Sequence, residues 1–517
     1  MNPQRYPVGI QTFSEIIGKG YVYVDKSAFI PRLFNAGKYI FLSRPRRFGK
    51  SLLLSMLHSF FAGERHLFKG LEIDSSDVDW DTRPVIHIDL NAENFTLANG
   101  LDILLDRILG DYERQYDITD RVPSPAGRLS RIIMSAYETT GKRPAILVDE
   151  YDKPLLAIEH GPAIFNRNQA TLKAFFGVLK SMDRYIHFAM LTGVARFNKV
   201  SIFSDLNNLL DISFNNSFAN ICGWTQQELE DYFTPGINVL ADEQEITPDE
   251  AFAKMKDHYD GYLFAPKGQR LYNPYSVLLA LTNREFGRYW FQTGTPTFLA
   301  RRVKETRIIL PSLNGCQASL PSLEAVGIDD LNPIPLLFQT GYLTIKSARG
   351  NRYELQFPNR EVETGFAEHL LPLYVPGLGD LNGDFSMWKF EDDIAYGRPE
   401  TFMLRLQALI KDVPYEQHDE KFYQNAVYLV FTLAGAHAKV EDHTNIGRTD
   451  LEVTTGSYIY IFEFKYNRSA REALAQIRQR DYAGRHAMSG KRVFLIGANF
   501  SSAARGLDEW IIEEWVK

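Results

Sequence analysis

An apolar run, Tyr39 to Ser43 (YIFLS), leads into the loop Arg44-Pro45-Arg46-Arg47-Phe48-Gly49, and the loop opens at Lys50-Ser51 into the unbroken stretch KSLLLSMLHSFF, closed by Gly63. Strand, loop and helix in that order restrict this part of the chain to an α/β layer structure. Backbone N–H groups at the loop and the helix start then point at one place, where an anion is stabilised. Lys50 is placed to reach β- and γ-phosphate oxygens, Gly49 to allow the turn, and Ser51 to offer a hydroxyl to Mg²⁺. One departure stands out: Arg44 occupies the position where the first glycine of such a loop belongs. Arg44, Arg46 and Arg47 either contact phosphates or face another part of the protein and relay nucleotide state.

Further apolar runs follow at 84–90 (PVIHIDL), 145–150 (AILVDE) and 186–192 (IHFAMLT), with a fifth expected at 218–221 (FANI). Amphipathic segments such as NGLDILLDRILGDYERQY separate them, as in an α/β domain with a mainly parallel sheet. We place this domain at 1–222. In AILVDE the buried run carries Asp149 to a strand end, where it can hold Mg²⁺ through water. Glu150 beside it can orient or deprotonate an attacking water. In LTGVARFNK, Thr192 stands where a polar group senses the γ-phosphate. Arg196 or Lys199 can reach the γ-phosphate or a neighbouring subunit's nucleotide, and either equally caps a helix or faces solvent.

Residues 223–375 read as a helical lid with aromatic turns and a small winged element, its hairpin turning at Gly350-Asn351. Residues 376–517 read as helix, three strands, helix and strand, with AARGLDEWIIEEWV as a closing helix. In EFK, Glu463 and Lys465 are two apart on a strand and share a face, while Phe464 points to the core. Asp450, on the preceding strand of the same hairpin, folds back towards Glu463. Two carboxylates can bind a divalent cation, and Lys465 can position its water or stabilise developing charge. Glu420 adds a ligand from the preceding helix, and Gln476 and Tyr482 complete the pocket wall. An E-x-K strand is equally a solvated edge or an ion pair, and Glu420 equally a favourable charge at a helix start. Arg468, Arg471, Arg478, Arg480 and Arg485 form either a phosphate-contacting surface or a solvated helix face.

The formal net charge of -7 in 517 residues means that any nucleic-acid contact must come from a local patch. That length calls for two to four domains. Two cysteines far apart suit neither a disulfide framework nor a zinc site, and they suit a reducing compartment. No signal-peptide core and no run of membrane-spanning length is evident, so a cytoplasmic protein with no membrane partner is expected.

These motifs together resemble bacterial AAA-ATPase-like proteins fused to a C-terminal PD-(D/E)XK nuclease domain. The resemblance runs through RPRRFGKSLL, LVDEYDKP, LTGVARFNKVSIFSDLNNL, YDGYLF, YNPYSV, FQTGYLTI, FPNREV, GRTDLEV and EFK. It implies a P-loop ATPase of the additional-strand, catalytic-glutamate type, a helical region, and a restriction-endonuclease-like α/β domain. Lys50, Ser51, Asp149 and Glu150 match its ATPase motifs, and Arg44 matches because the family loop begins R-P-R-R-F-G-K-S. Asp450, Glu463 and Lys465 match its nuclease triad, with Glu420 and Gln476 as accessory positions. Thr449 stands where a serine is expected, and Ala195 is a local departure. The implied cofactors are ATP and Mg²⁺ and the implied partner DNA or RNA; a homo-oligomer stays open. The expected function is ATP-regulated phosphodiester cleavage. The alternatives are an ATP-dependent switch whose last domain docks nucleic acid without cutting it, and a structural role for Glu463 and Lys465.

Overall fold

A computed structural model describes residues 4–516 apart from 92, 121, 159–161, 197–207, 294–296, 325–331, 376–386, 412–418, 436 and 440–448. Lys199, and with it most of the motif after Arg196, lies outside the described residues. The chain divides into two compact units. The first comprises Met1–Trp290, Ala318–Asp330 and Ile334–Tyr353, the second Phe291–Gln317, Leu331–Pro333 and Glu354–Lys517.

The first unit is built on strands β1 (Tyr39–Ser43), β2 (Val85–Asp89), β3 (Ala145–Asp149), β4 (Phe188–Gly193) and β5 (Leu210–Asp211), in the order β2-β3-β4-β1-β5. All pairs are parallel. Every residue of β3 and β4 is buried, because a parallel sheet is covered on both faces. Helices Gly100–Gln115, Pro125–Thr140 and Pro162–Ser181 supply Leu104, Leu105, Ile132, Leu172 and Phe175 to a core shared with Ile86, Ile146 and Val148. β4 lies between β1 and β3. The carboxyl ends of all three therefore meet at one sheet edge, with the Arg44–Gly49 loop, Asp149 and Thr192 on it.

The strand expected at 218–221 is absent: Asn216–Phe218 is a 3₁₀ turn, and the fifth strand is the shorter β5. The Phe218 and Ala219 carbonyls accept from the Arg44 guanidinium (3.1 and 3.4 Å).

Helices Gln226–Glu243, Pro248–Tyr259 and Pro274–Asn283 follow, each started by a side-chain cap from Thr225, Thr247 or Asn273. Their core residues Leu229, Phe233, Met255 and Val277 enclose Val24, with Tyr6 and Val8 against them. The start of the chain thus covers these helices, and the boundary placed at 222 is not a break in packing. The strands β6 (Gln317–Ser319), β7 (Thr344–Arg349) and β8 (Arg352–Gln356) form a small sheet, with the turn between the last two at Gly350 as expected.

The second unit carries β9 (His437–Lys439), β10 (Leu451–Thr454), β11 (Tyr458–Tyr466), β12 (Arg492–Ser501) and β13 (Gly506–Trp515), in the order β13-β12-β11-β10-β9. β11 and β12 are parallel and joined through helix Ala470–Gln479; the other pairs are antiparallel. The closing helix read from AARGLDEWIIEEWV is instead β13, paired with β12 from Val493↔Trp515 to Ser501↔Gly506. Pairing with β12 decides this ambiguous sequence, with a cross-strand ion pair from Arg492 to Glu514 (2.8 Å) and a second ion pair to Glu513 from Arg478 on helix Ala470–Gln479. Among the described residues no helix is long and apolar enough to cross a membrane.

Candidate active sites

At the edge where β1 ends, Gly49 starts helix Lys50–Phe61 at φ +95°, a left-handed conformation that glycine adopts without penalty. Arg47 also has positive φ, at +69°. The Lys50 ammonium is buried and donates to the Arg44 and Pro45 carbonyls (3.1 and 3.2 Å). It lies 3.5 Å from Glu150 Oε1. Ser51 is half-buried in the first helical turn.

Arg44 and Arg47 go elsewhere. Arg44 is 1% exposed, and its guanidinium donates to the Ser43, Ser213, Phe218 and Ala219 carbonyls while lying 4.3 Å over the Phe264 ring. Burial pulls its pKa down to about 10. Read from sequence as a nucleotide contact, Arg44 is committed to the protein's own backbone. Arg47 sits 4.6 Å over the Tyr275 ring, on one of the capped helices, and the Arg46 carbonyl accepts from Trp290 Nε1 (3.2 Å). Phe48 is buried edge-on against Tyr262 and Phe264. Arg44 and Arg47 are thus engaged within their own unit, while the Arg46 charge acts on Glu150.

At the end of β3, Asp149 Oδ1 accepts from Thr192 Oγ1 (2.6 Å) and from the Glu150 N–H (3.1 Å). Thr192 thus orients Asp149 from the neighbouring strand. Glu150 is held at φ +52°, strained for a residue with a Cβ. Burial alone would raise its pKa, but the charges of Lys50, Arg46 and Lys153 outweigh it and the net shift is downward. Arg196 is buried, forms an ion pair with Asp211 and lies over Phe214; its N–H donates to Gln339 Oε1 (2.6 Å). It is tied to β5 and not poised as a mobile cation.

Sequence reasoning assigned no role to Asp152, two residues beyond Glu150. Its side chain is fully buried, and Oδ2 accepts from the Val194 N–H (2.9 Å) and the Ala195 N–H. Burial first, then the Glu150 charge, pushes this carboxyl up to about 7. Two neighbouring carboxyls are driven apart: Glu150 stays ionised beside Lys50, and Asp152 takes up a proton readily.

In the second unit Leu451 pairs with Phe462, so Asp450, one step before β10, stands opposite Glu463. Asp450 Oδ2 accepts from the Phe464 N–H (2.7 Å). Phe464 is buried in the core, while Glu463 and Lys465 share the opposite face with Lys465 Nζ donating to Glu463 Oε1 (2.9 Å). Glu463 is 2% exposed, and its Oε2 has no hydrogen-bond partner among the described residues. Burial, then the Asp450 charge, raises its pKa to about 7 against the opposing pull of Lys465. Tyr482 is buried beside the pair, hydrogen-bonded with Gln476, and its pKa is raised by burial and then by Glu463. Gln424 Nε2 donates to the Asp450 carbonyl (2.7 Å).

Glu420 is exposed at the start of its helix and its charge is the last of the causes that raise the Glu463 pKa; no three carboxylate, histidine or cysteine groups cluster as metal ligands among the described residues. Of the arginines on the last helix and after it, Arg478 and Arg485 are engaged by Glu513 and Glu452.

Residues 7–203 match the predicted AAA-ATPase family, and residues 418–510 match the PD-(D/E)XK nuclease superfamily. Over 528 aligned positions the chain is 34% identical to a protein of Azotobacter chroococcum mcd 1 whose name is "Uncharacterized protein in vnfD 5'region", covering 99% of each.

Proposed function

Because the chain belongs to the family that joins an AAA-ATPase-like domain to a PD-(D/E)XK nuclease-superfamily domain, we propose that it is an ATP-regulated, Mg²⁺-dependent nuclease. One observation carries the nuclease half. The buried Glu463 has an unpartnered oxygen, stands opposite a second carboxylate, and has its pKa driven upward by that crowding of negative charge. Such a pair suits a divalent cation held by Asp450 and Glu463. A plain ion-pair strand would account for the Lys465 contact but not for the unpartnered Oε2.

When bound, the cation would polarise a phosphodiester and acidify a water. Lys465 holds Glu463 Oε1 and places positive charge where the phosphoryl oxygens gain negative charge. Gln424 holds the Asp450 carbonyl and the Phe464 N–H holds its carboxylate, which fixes the second carboxylate. Tyr482 and Gln476 close the pocket against water.

In the first unit, the order β5-β1-β4-β3-β2, with β4 between the loop strand and the Asp149 strand, supports the additional-strand, catalytic-glutamate type. Lys50 would exchange its loop carbonyls and Glu150 for phosphate oxygens. Ser51 and Asp149 would hold the Mg²⁺ of the nucleotide, Thr192 keeps Asp149 turned towards it, and Glu150 is released to orient water.

The test is cleavage of labelled DNA and RNA with Mg²⁺ or Mn²⁺, comparing the native chain with Lys465→Ala. Loss of cutting in the variant is expected; cutting that survives would remove the nuclease assignment and leave a nucleotide-dependent switch.

A further inference from the structure

The second unit contains an open cavity of about 700 Å³, away from the carboxylate pair's own residues, lined by Arg302, Arg307 and Lys421 against a single acidic wall residue, Glu305. Its polar lining also includes Thr306, Ser312 and Asn332. The cations come from two distant stretches. Arg302 lies on helix Thr297–Glu305, which together with the next two residues holds Arg301, Arg302, Lys304 and Arg307 against one carboxylate, Glu305. Lys421 lies in the first turn of helix Glu420–Leu433. In a chain of formal net charge -7 this is a local reversal of sign.

Two consecutive side chains on the Glu420 helix connect the cavity to the carboxylates. Asn425, 1% exposed, donates to the Ile308 carbonyl (2.8 Å) and accepts from the Leu310 N–H (2.8 Å), which fixes the cavity wall. Gln424, its neighbour, donates to the Asp450 carbonyl. The cavity wall and the Asp450–Glu463 pair are thereby anchored to adjacent residues of one helix. Arg307 is also 3.8 Å from Asp419, both of them exposed, a contact that high dielectric leaves weak and a phosphate can replace.

From this arrangement we infer that the Arg302–Arg307–Lys421 cavity is the phosphodiester-backbone site that seats a nucleic acid on the Asp450–Glu463 pair. The inference rests on the nuclease reading and deepens it. It assigns substrate holding to the Thr297 and Glu420 helices. Contacts to phosphate carry little sequence information, so binding here is general in sequence and steeply salt-dependent.

The experiment is fluorescence anisotropy of fluorescein-labelled oligonucleotides, as single-stranded DNA, duplex DNA and RNA, titrated with the full chain in EDTA across a salt series. The variants are Arg302→Gln, Arg307→Gln and Lys421→Gln, singly and together, with Arg478→Gln as the control and thermal unfolding to check folding. Each cavity substitution is expected to lower the slope of log K against log salt by about 1, and the triple variant to bind roughly tenfold or more weakly. Arg478→Gln should leave both unchanged. If the native chain binds and the triple variant binds equally with the same slope, the cavity assignment is wrong while the nuclease reading stands. If the native chain binds none of the three probes, both fall.

Discussion

Arg44 and Arg47 belong to the same loop but respond to different forces. Removing the Arg44 side chain leaves the Ser43, Ser213, Phe218 and Ala219 carbonyls without their donor. Arg44→Ala should therefore cost on the order of 1–3 kcal/mol, seen as a lower thermal midpoint. Arg47→Ala should leave the midpoint nearly unchanged and weaken ATP binding less than Lys50→Ala does. Equal losses on titration would make Arg47 a primary phosphate ligand. Asp152 provides a pH test. Its folded-state pKa is raised to about 7, so the stability tied to its proton is present below the ordinary carboxylate range and lost as pH rises through about 7. Glu150, shifted downward, contributes with the opposite sign and at lower pH. In nucleotide-free protein Asp152→Asn should flatten the fall in thermal midpoint between the ordinary carboxylate range and about 7; parallel curves for variant and native chain would contradict the assignment. The placement of Lys50 beside Glu150, and of Asp450 opposite Glu463 with Lys465 on the same face, was legible in sequence because spacing along strands and loops sets their faces. The burial of Arg44, the Arg196–Asp211 pair and the buried Asp152 were not, because each depends on a partner distant in sequence or on a neighbouring strand.

Helix Ala470–Gln479 packs against β12 through Gly497, where a Cβ would come within 2.4 Å of the Ala470 carbonyl oxygen and 2.6 Å of the Leu474 nitrogen. Backbone cannot yield as a flexible side chain does. Gly497→Ala should displace this helix, which carries Gln476, and destabilise the unit by about 1–3 kcal/mol. Thermal unfolding checks it, and an unchanged midpoint would mean the helix has slack. The four longer strands of the first sheet are recognisable as apolar runs bounded by turn residues. β13 is not, since GLDEWIIEEW satisfies a helical and an extended pattern alike and pairing with β12 decides between them. The two-residue β5 is too short to leave a periodic signal.

At the scale of the whole molecule, an AAA-ATPase-like domain and a PD-(D/E)XK nuclease-superfamily domain occur on one chain, and a relative similar over its full length keeps both lengths together. The acidic total of the composition hides the basic stretch from Arg301 to Arg307. Packing across long sequence separation was not legible, since a segment from the start of the chain completes the core of helices some two hundred residues later. The central claim is that nucleotide state governs cleavage. It is tested most directly by measuring the initial rate of oligonucleotide cleavage in Mg²⁺ with and without ATP, for the native chain and for Lys50→Ala. The account predicts a rate that changes with ATP in the native chain and is indifferent to ATP in Lys50→Ala. Native cleavage that proceeds at one rate with or without ATP, and is matched by Lys50→Ala, would contradict it.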